Sequence, residues 1–296
     1  RSPKFESGFN VRSLTTSDGA KILGQLNYDN NSLSPNWSLA QWWSVYNILE
    51  GKKEKIKDGI YKYSDKTKEL LIDYINGQLN LKITASNCYE TPRKEDEMWL
   101  HLLCEQDSAT NFINEPEKYN KYKLDQMKEL WFKTDFKLSF FEDKMGKKAN
   151  PEMHAAQFLF FLNLQNLNCL NKEDFGKLMH FGIPIFDNRC EFTKLYQAKD
   201  TTTPNFIYSL NSDIYLKKSF FKNGIPFGSP DNDWITVEFD IMPYIKTAFA
   251  KAKSIGFLPS TAFDDLYLGA LSYGWEVPGT YDAEMCLKNI GLFGVK

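Results

Sequence analysis

A chain of 296 residues that is 42% hydrophobic and 25% charged has the composition of an ordinary globular protein, with enough apolar content to bury a sizeable core. The formal net charge is −2 and the 36 basic residues are scattered, so there is no electrostatic footprint for a nucleic-acid backbone and no nucleic acid is expected as partner. No apolar run approaches the roughly 18 residues of a membrane span, so no span is expected. The opening RSPKFESGFN lacks the charged-then-apolar pattern of an export signal, so any such signal is expected to have been removed already.

In chain order, strand-sized runs separated by turn chemistry predict an all-β sandwich over residues 1–296, with no internal repeat and no low-complexity linker. The first run, NWSLAQWWSVYNILE (36–50), has apolar residues in both parities and is read as strand. Trp42 and Trp43 would then point oppositely, and core burial is the simplest use of both rings. Residues 69–85, ELLIDYINGQLNLKITA, set Asn76-Gly77 between two runs rich in β formers, a hairpin signal, with Leu79, Leu81, Ile83 and Ala85 on one face. EMWLHLLCEQ (97–106) alternates Met98, Leu100, Leu102 and Cys104 against Trp99, His101, Leu103 and Glu105. A strand lining a groove reads this way.

TDFKLSFFED (134–143) sends Phe136, Leu138 and Phe140 inward and leaves Asp135, Lys137, Ser139 and Phe141 opposite. HAAQFLFFLNLQ (154–165) places Ala156, Phe158, Phe160, Leu162 and Leu164 on one face and Gln157, Leu159, Phe161, Asn163 and Gln165 on the other. A strand exposed to water would not carry Leu159 and Phe161 there, so a concave sheet is expected, its second face half covered by loops or filled by ligand. GIPIFDNRCEF (182–192) adds Asp187, Arg189 and Glu191 on a single face. One helix is predicted over 243–256, with Pro243 in its first turn and Gly256 closing it, packed against a sheet. Finally, the strand DLYLGALSYGWE puts Glu276 on one face with Gly274, Ser272, Ala270 and Leu268. A floor of small residues leading to one carboxylate leaves room for a flat polar object such as a sugar ring, and the 15% aromatic content suits both β-rich cores and sugar stacking.

The run 238–293 resembles the end of glycoside hydrolase family 12: an acidic residue before a short helix, a glycine-containing loop, a strand closing in G-x-E, and a last strand. The resemblance implies a concanavalin A-like β-jelly roll of two antiparallel sheets, of the kind that cuts β-1,4-glucans and xyloglucan with retention, and makes Glu276 in GWE the acid/base. On the same resemblance the nucleophile falls at Gln157 in AQFLFFLNL, and a supporting aspartate falls at Ser139. An amide cannot form and release a glycosyl ester as a carboxylate does, so the resemblance implies a site without its nucleophile.

Another carboxylate could replace it. Glu105 is the first candidate, because its strand shows Trp99 and His101 on the same face and an inverting enzyme needs only a base some 6.5–9.5 Å from the acid. Asp187 is the second, although Asp187 and Arg189, two residues apart, also read as a structural ion pair. His101 could shuttle a proton or serve as a hydrogen-bonded groove residue. His154 finds no partners at metal-ligand spacing, and His180 reads as loop. Trp99, His101, Gln157, Asn163 and Arg189 are the expected substrate contacts.

Cys88, Cys104, Cys169, Cys190 and Cys286 contain no CxxC pair, and at least one must stay unpaired within the chain. No metal and no cofactor are expected. Asn30 and Asn36 begin N-x-S sequons, a pattern common by chance.

Three functional expectations follow. The first is a hydrolase acting on a polysaccharide or oligosaccharide, with Glu276 as general acid and Glu105 or Asp187 as base or nucleophile. The second is a lyase in which Arg189 or Gln157 neutralises a uronate. The third is a glycan-binding protein without catalysis. Polymer size suggests a secreted or cell-surface location, and the chain is expected to be a monomer.

Overall fold

The computed structural model describes residues 5–17, 21–29, 33–89, 93–95, 97–107, 122–200, 203, 205–228 and 233–296. Nine strands form one sheet in the order β12 (Tyr196–Lys199), β13 (Phe206–Ser209), β11 (Leu178–Asp187), β10 (Gln157–Asn166), β17 (Leu266–Val277), β8 (Leu100–Asp107), β3 (Trp37–Ala40), β1 (Phe9–Arg12) and β2 (Ile22–Leu26). Seven form the second, in the order β16 (Ile235–Asp240), β9 (Glu129–Asp143), β18 (Tyr281–Val295), β7 (Gln78–Thr84), β6 (Lys68–Asp73), β5 (Ile60–Ser64) and β4 (Lys52–Lys57). A short hairpin, β14 (Phe221–Lys222) and β15 (Ile225–Pro226), stands apart. The chain changes sheet between β3 and β4, at both ends of β8 and β9, between β13 and β16 by way of the short hairpin, and at both ends of β17, the crossing habit of a jelly-roll sandwich. Pairing is antiparallel except for two flanking contacts, β1 with β3 and β11 with β13, so the nine-stranded sheet is mixed rather than wholly antiparallel.

One buried cluster fills the space between the sheets. Strand alternation builds it: Leu79, Leu81 and Ile83 from β7 meet Leu102, Phe160, Tyr273 and Trp275 from the other layer, all without solvent exposure. Each such side chain contributes roughly 1.5–3 kcal/mol by leaving water. Trp275 also donates its indole N–H to the Leu81 carbonyl at 2.9 Å, a hydrogen bond from one sheet to the other. Its neighbour Glu276 therefore points to the opposite, outer face of the nine-stranded sheet.

Helix α1 (Met242–Ser254) follows β16, carries Pro243 in its first turn, and buries Ile245, Phe249 and Ala252. Gly256 beyond it has φ +77°, a left-handed conformation that costs glycine little, so the helix stops where the sequence predicts. Its entry is tied to β9 by the Ile241 N–H donating to the Leu130 carbonyl at 2.8 Å. Among the described residues no helix is long and apolar enough to cross a membrane.

Four local expectations are corrected. In β9 the pairing with β18 steps from Met285↔Leu138 to Glu284↔Phe140, leaving Ser139 as an extra, bulged residue. The bulge reverses the alternation beyond it: Phe140 faces out, and Phe141 turns in to stack on Tyr281 at 6.0 Å. The hairpin at Asn76-Gly77 joins β6 to β7, but through a four-residue turn that Asp73 caps by accepting the Asn76 N–H at 2.9 Å. The run 36–50 is strand only as far as Ala40; Trp43, at φ +61°, then turns the chain away. Strand β11 ends at Asp187, so Arg189 and Glu191 lie in the turn beyond it and parity does not govern them. The Asn30 sequon lies outside the described residues, and Asn36 is exposed.

Candidate active site

The register of the central strands lines up four polar side chains across the outer face. Asp187 on β11 pairs with Gln157 on β10, Gln157 with Glu276 on β17, and Glu276 with His101 on β8. Four of the expected contacts, His101, Gln157, Trp99 and Arg189, and two of the expected catalytic residues thus fall into or beside one row. The neighbours Phe158, Trp275 and Leu102 on the same strands go to the core, which fixes this face as the outer one.

Glu276 and His101 are the half-buried pair of the row, with side chains 21% and 12% exposed, and Oε2 lies 3.8 Å from Nε2. The other ring nitrogen, Nδ1, is 2.8 Å from the Trp99 carbonyl. A carbonyl only accepts, so Nδ1 carries the hydrogen and Nε2 is left for Glu276. Trp99 stacks on the imidazole with centroids 5.7 Å apart, and Trp42 meets it edge-on at 5.8 Å. The Arg93 guanidinium lies 4.8 Å from the Trp99 ring centroid.

Trp42 belongs to the turn after β3, which is tied to the opposite sheet by Lys68. That ammonium donates to Ser44 Oγ at 2.8 Å and to the Tyr46 carbonyl at 2.6 Å, and pairs with Asp65 at 2.6 Å. Burial pushes the Lys68 amine below its ordinary value, and Asp65 opposes that shift. The sequence reading gave Trp42 to the core; its place beside His101 depends on a turn that apolar spacing does not reveal.

The next row toward the centre of the face is Leu159, Gly274 and Leu103. Gly274 has φ +151°, and a Cβ there would lie 2.0 Å from the Leu102 carbonyl oxygen, so only glycine fits. Gly274 thus leaves a dip without a side chain between two leucines, directly beside the Glu276 row, and all three residues are buried. Ser272 and Ala270 continue the floor as half-buried residues.

Asp187 is buried and closely held. Arg189 grips it with Nε on Oδ1 at 2.9 Å and Nη2 on Oδ2 at 2.6 Å, its own backbone N–H adds a bond at 3.0 Å, and Gln157 donates its amide at 2.8 Å. The third arm of Arg189 goes to the Pro151 carbonyl at 3.1 Å. The fork of Arg189 is therefore spent on Asp187, and Gln157, the other group of the lyase expectation, also gives its amide to Asp187.

Glu105 is not brought to Glu276. It stands opposite Ser272, four residues along the strand from His101, which is about 13 Å at roughly 3.3 Å per residue and beyond the spacing of an inverting pair. Its carboxylate meets Arg12 Nε at 2.6 Å, a largely buried ion pair. Asn163 is farther still, six residues or about 20 Å from Gln157. There its side-chain oxygen accepts from His180 Nδ1 at 2.8 Å, while Asn205 contacts Nε2 at 3.3 Å. His180, expected as loop, is thus part of β11, at a second polar station on the same face. Burial pushes its imidazole below 6.5, with Asp200 pulling weakly the other way. Ser139 lies in the seven-stranded sheet and donates to the Glu284 carbonyl at 3.2 Å, so it has no place in the row.

Among the described residues no group of three or more His, Cys, Asp or Glu is arranged to hold a metal ion, and the five cysteines are free.

No protein-family model and no curated protein sequence matches the chain. Solved structures do match. A family 12 xyloglucanase from Bacillus licheniformis aligns at 10% identity and TM-score 0.44, over 82% of this chain and 96% of that one. The endoglucanase Cel12A from Rhodothermus marinus aligns at 9% identity and TM-score 0.41, over 83% and 96%. A family 11 xylanase from Neocallimastix patriciarum aligns at 7% and 0.41, over 82% and 95%. Similarity at this level carries no residue-by-residue correspondence.

Proposed function

We propose that the outer face of the nine-stranded sheet takes a glycan and that the protein is a glycoside hydrolase with Glu276 as its general acid. The observation that carries this reading is the setting of Glu276: a partly exposed carboxyl with no cation of its own in the row, beside the Gly274 dip, between His101 and Gln157. In the reaction Glu276 gives its proton to the glycosidic oxygen as the bond to the anomeric carbon breaks. A water attacks that carbon from the other side and loses its proton to a carboxylate. Asp187 is the remaining acid of the row, two strands or about 10 Å from Glu276 at the backbone, which is nearer to the spacing of an inverting pair than to that of a retaining one. A polymer substrate is met outside the cell, so the reading also implies export.

A second reading, glycan binding without cleavage, is favoured by one observation: the position directly beside Glu276 on β10 is an amide, and the next carboxylate is gripped by Arg189. Product release from a panel of neutral and uronate polysaccharides, compared among wild type, Glu276→Gln and Asp187→Asn, separates the two. The hydrolase reading expects reducing ends from wild type and a loss of at least about 10²-fold in each variant. Polysaccharide binding with no product from wild type would leave the second reading standing.

A further inference from the structure

We infer that His101 is the positioning residue of Glu276, holding the carboxyl beside the Gly274 dip through Nε2; this rests on the reading of Glu276 as proton donor. The two ring nitrogens have separate partners. Nδ1 donates to the Trp99 carbonyl at 2.8 Å, and Nε2 faces Glu276 Oε2 at 3.8 Å. With Nδ1 committed as donor, Nε2 offers only its lone pair, which accepts from the protonated Glu276, the form of the carboxyl that gives a proton to the substrate. The hold is therefore on the acid form, and it is released as the proton passes to the glycosidic oxygen. His101 itself passes nothing to the substrate.

The ring is held on every side. Trp99 covers one face, Trp42 meets it edge-on, and the His101 backbone N–H donates to the Trp42 carbonyl at 3.0 Å. Among the described residues the charged and polar groups around the pair are Arg93 over Trp99, Gln157 on the far side of Glu276, and Asp187 beyond it, bound to Arg189. The separation of 3.8 Å exceeds a hydrogen bond, so the contact must shorten by under about 1 Å for Nε2 to hold the carboxyl.

Two substitutions separate positioning from packing. The amide nitrogen of asparagine falls near Nδ1, so His101→Asn keeps a donor for Trp99 and loses Glu276; the amide of glutamine reaches the place of Nε2 and can turn its oxygen to Glu276, so His101→Gln keeps an acceptor there. The expectation is a fall in kcat of about 10²-fold for His101→Asn with KM within about twofold, and recovery of about tenfold of that loss in His101→Gln. Equal losses in the two variants overturn the inference. Imidazole nitrogen spectra of wild type and Glu276→Gln test it without activity. Nδ1 is expected to be protonated in both, and the Nε2 resonance to move in the variant; an unprotonated Nδ1 or an unmoved Nε2 overturns it. If wild type cleaves no glycan, the hydrolase reading falls and the nitrogen spectra still decide the pairing. If wild type cleaves and Nε2 does not respond to Glu276→Gln, the pairing falls alone.

Discussion

Glu105 and Arg12 meet at 2.6 Å with side chains 15% and 8% exposed, on the same face as Glu276 but far along it. Removing one partner of a largely buried ion pair costs about 3–5 kcal/mol in comparable cases. Glu105→Gln is therefore expected to lower the unfolding free energy in urea by about 3 kcal/mol while hydrolysis per folded molecule stays unchanged. A loss of activity without a loss of stability would return Glu105 to the catalytic pair. At the same scale, His180 has an acid-side signature. Burial holds its folded pKa below 6.5, so the unfolded chain takes up the proton first. Stability from this group is complete above about 6.5 and is lost as pH falls from there through the lower folded value. His180→Gln is expected to flatten the fall in melting temperature between pH 7 and pH 5, and an unchanged slope would show that His180 is not its source.

At the scale of elements, strand alternation alone was enough to place Glu276, His101, Gln157 and Asp187 on strands and to send Trp275, Phe158 and Leu102 the other way. That success has a physical basis: a face packed on a core enforces the period of two, and a one-residue slip would bury all four polar groups. The failures have one too. The bulge at Ser139 inverts Phe140 and Phe141, and the turn at Trp43 brings Trp42 to His101; neither leaves a trace in the spacing of apolar residues. Register between strands distant in sequence was also hidden, and it is register that puts Glu276 beside His101 rather than Glu105. Trp275 shows how the core supports this row from beneath, through its ring and its bond to Leu81. Trp275→Phe removes that bond and part of the ring, and is expected to cost about 2 kcal/mol in urea unfolding. A cost near zero would mean that the cross-sheet bond adds nothing to the packing around it.

For the molecule as a whole, the choice between enzyme and binding protein turns on one position. Gln157 and Glu276 are register partners on adjacent antiparallel strands, with backbones about 4.5–5.5 Å apart. Two carboxyl groups about 5–5.5 Å apart are the arrangement of a retaining hydrolase, in which one of them attacks the anomeric carbon. Gln157→Glu would create that pair, and it would also withdraw the amide that donates to Asp187, leaving Arg189 as the main support of that carboxylate. If wild type works by inversion through Asp187, its fresh product has the inverted anomeric configuration by proton NMR. Gln157→Glu is then expected to release the retained anomer, because a nucleophile now stands between acid and base. A variant that goes silent would show that the amide itself, by holding Asp187, is part of the native site. A silent wild type and a variant that cleaves would mean that the face binds glycans natively and lacks a single carboxylate for turnover.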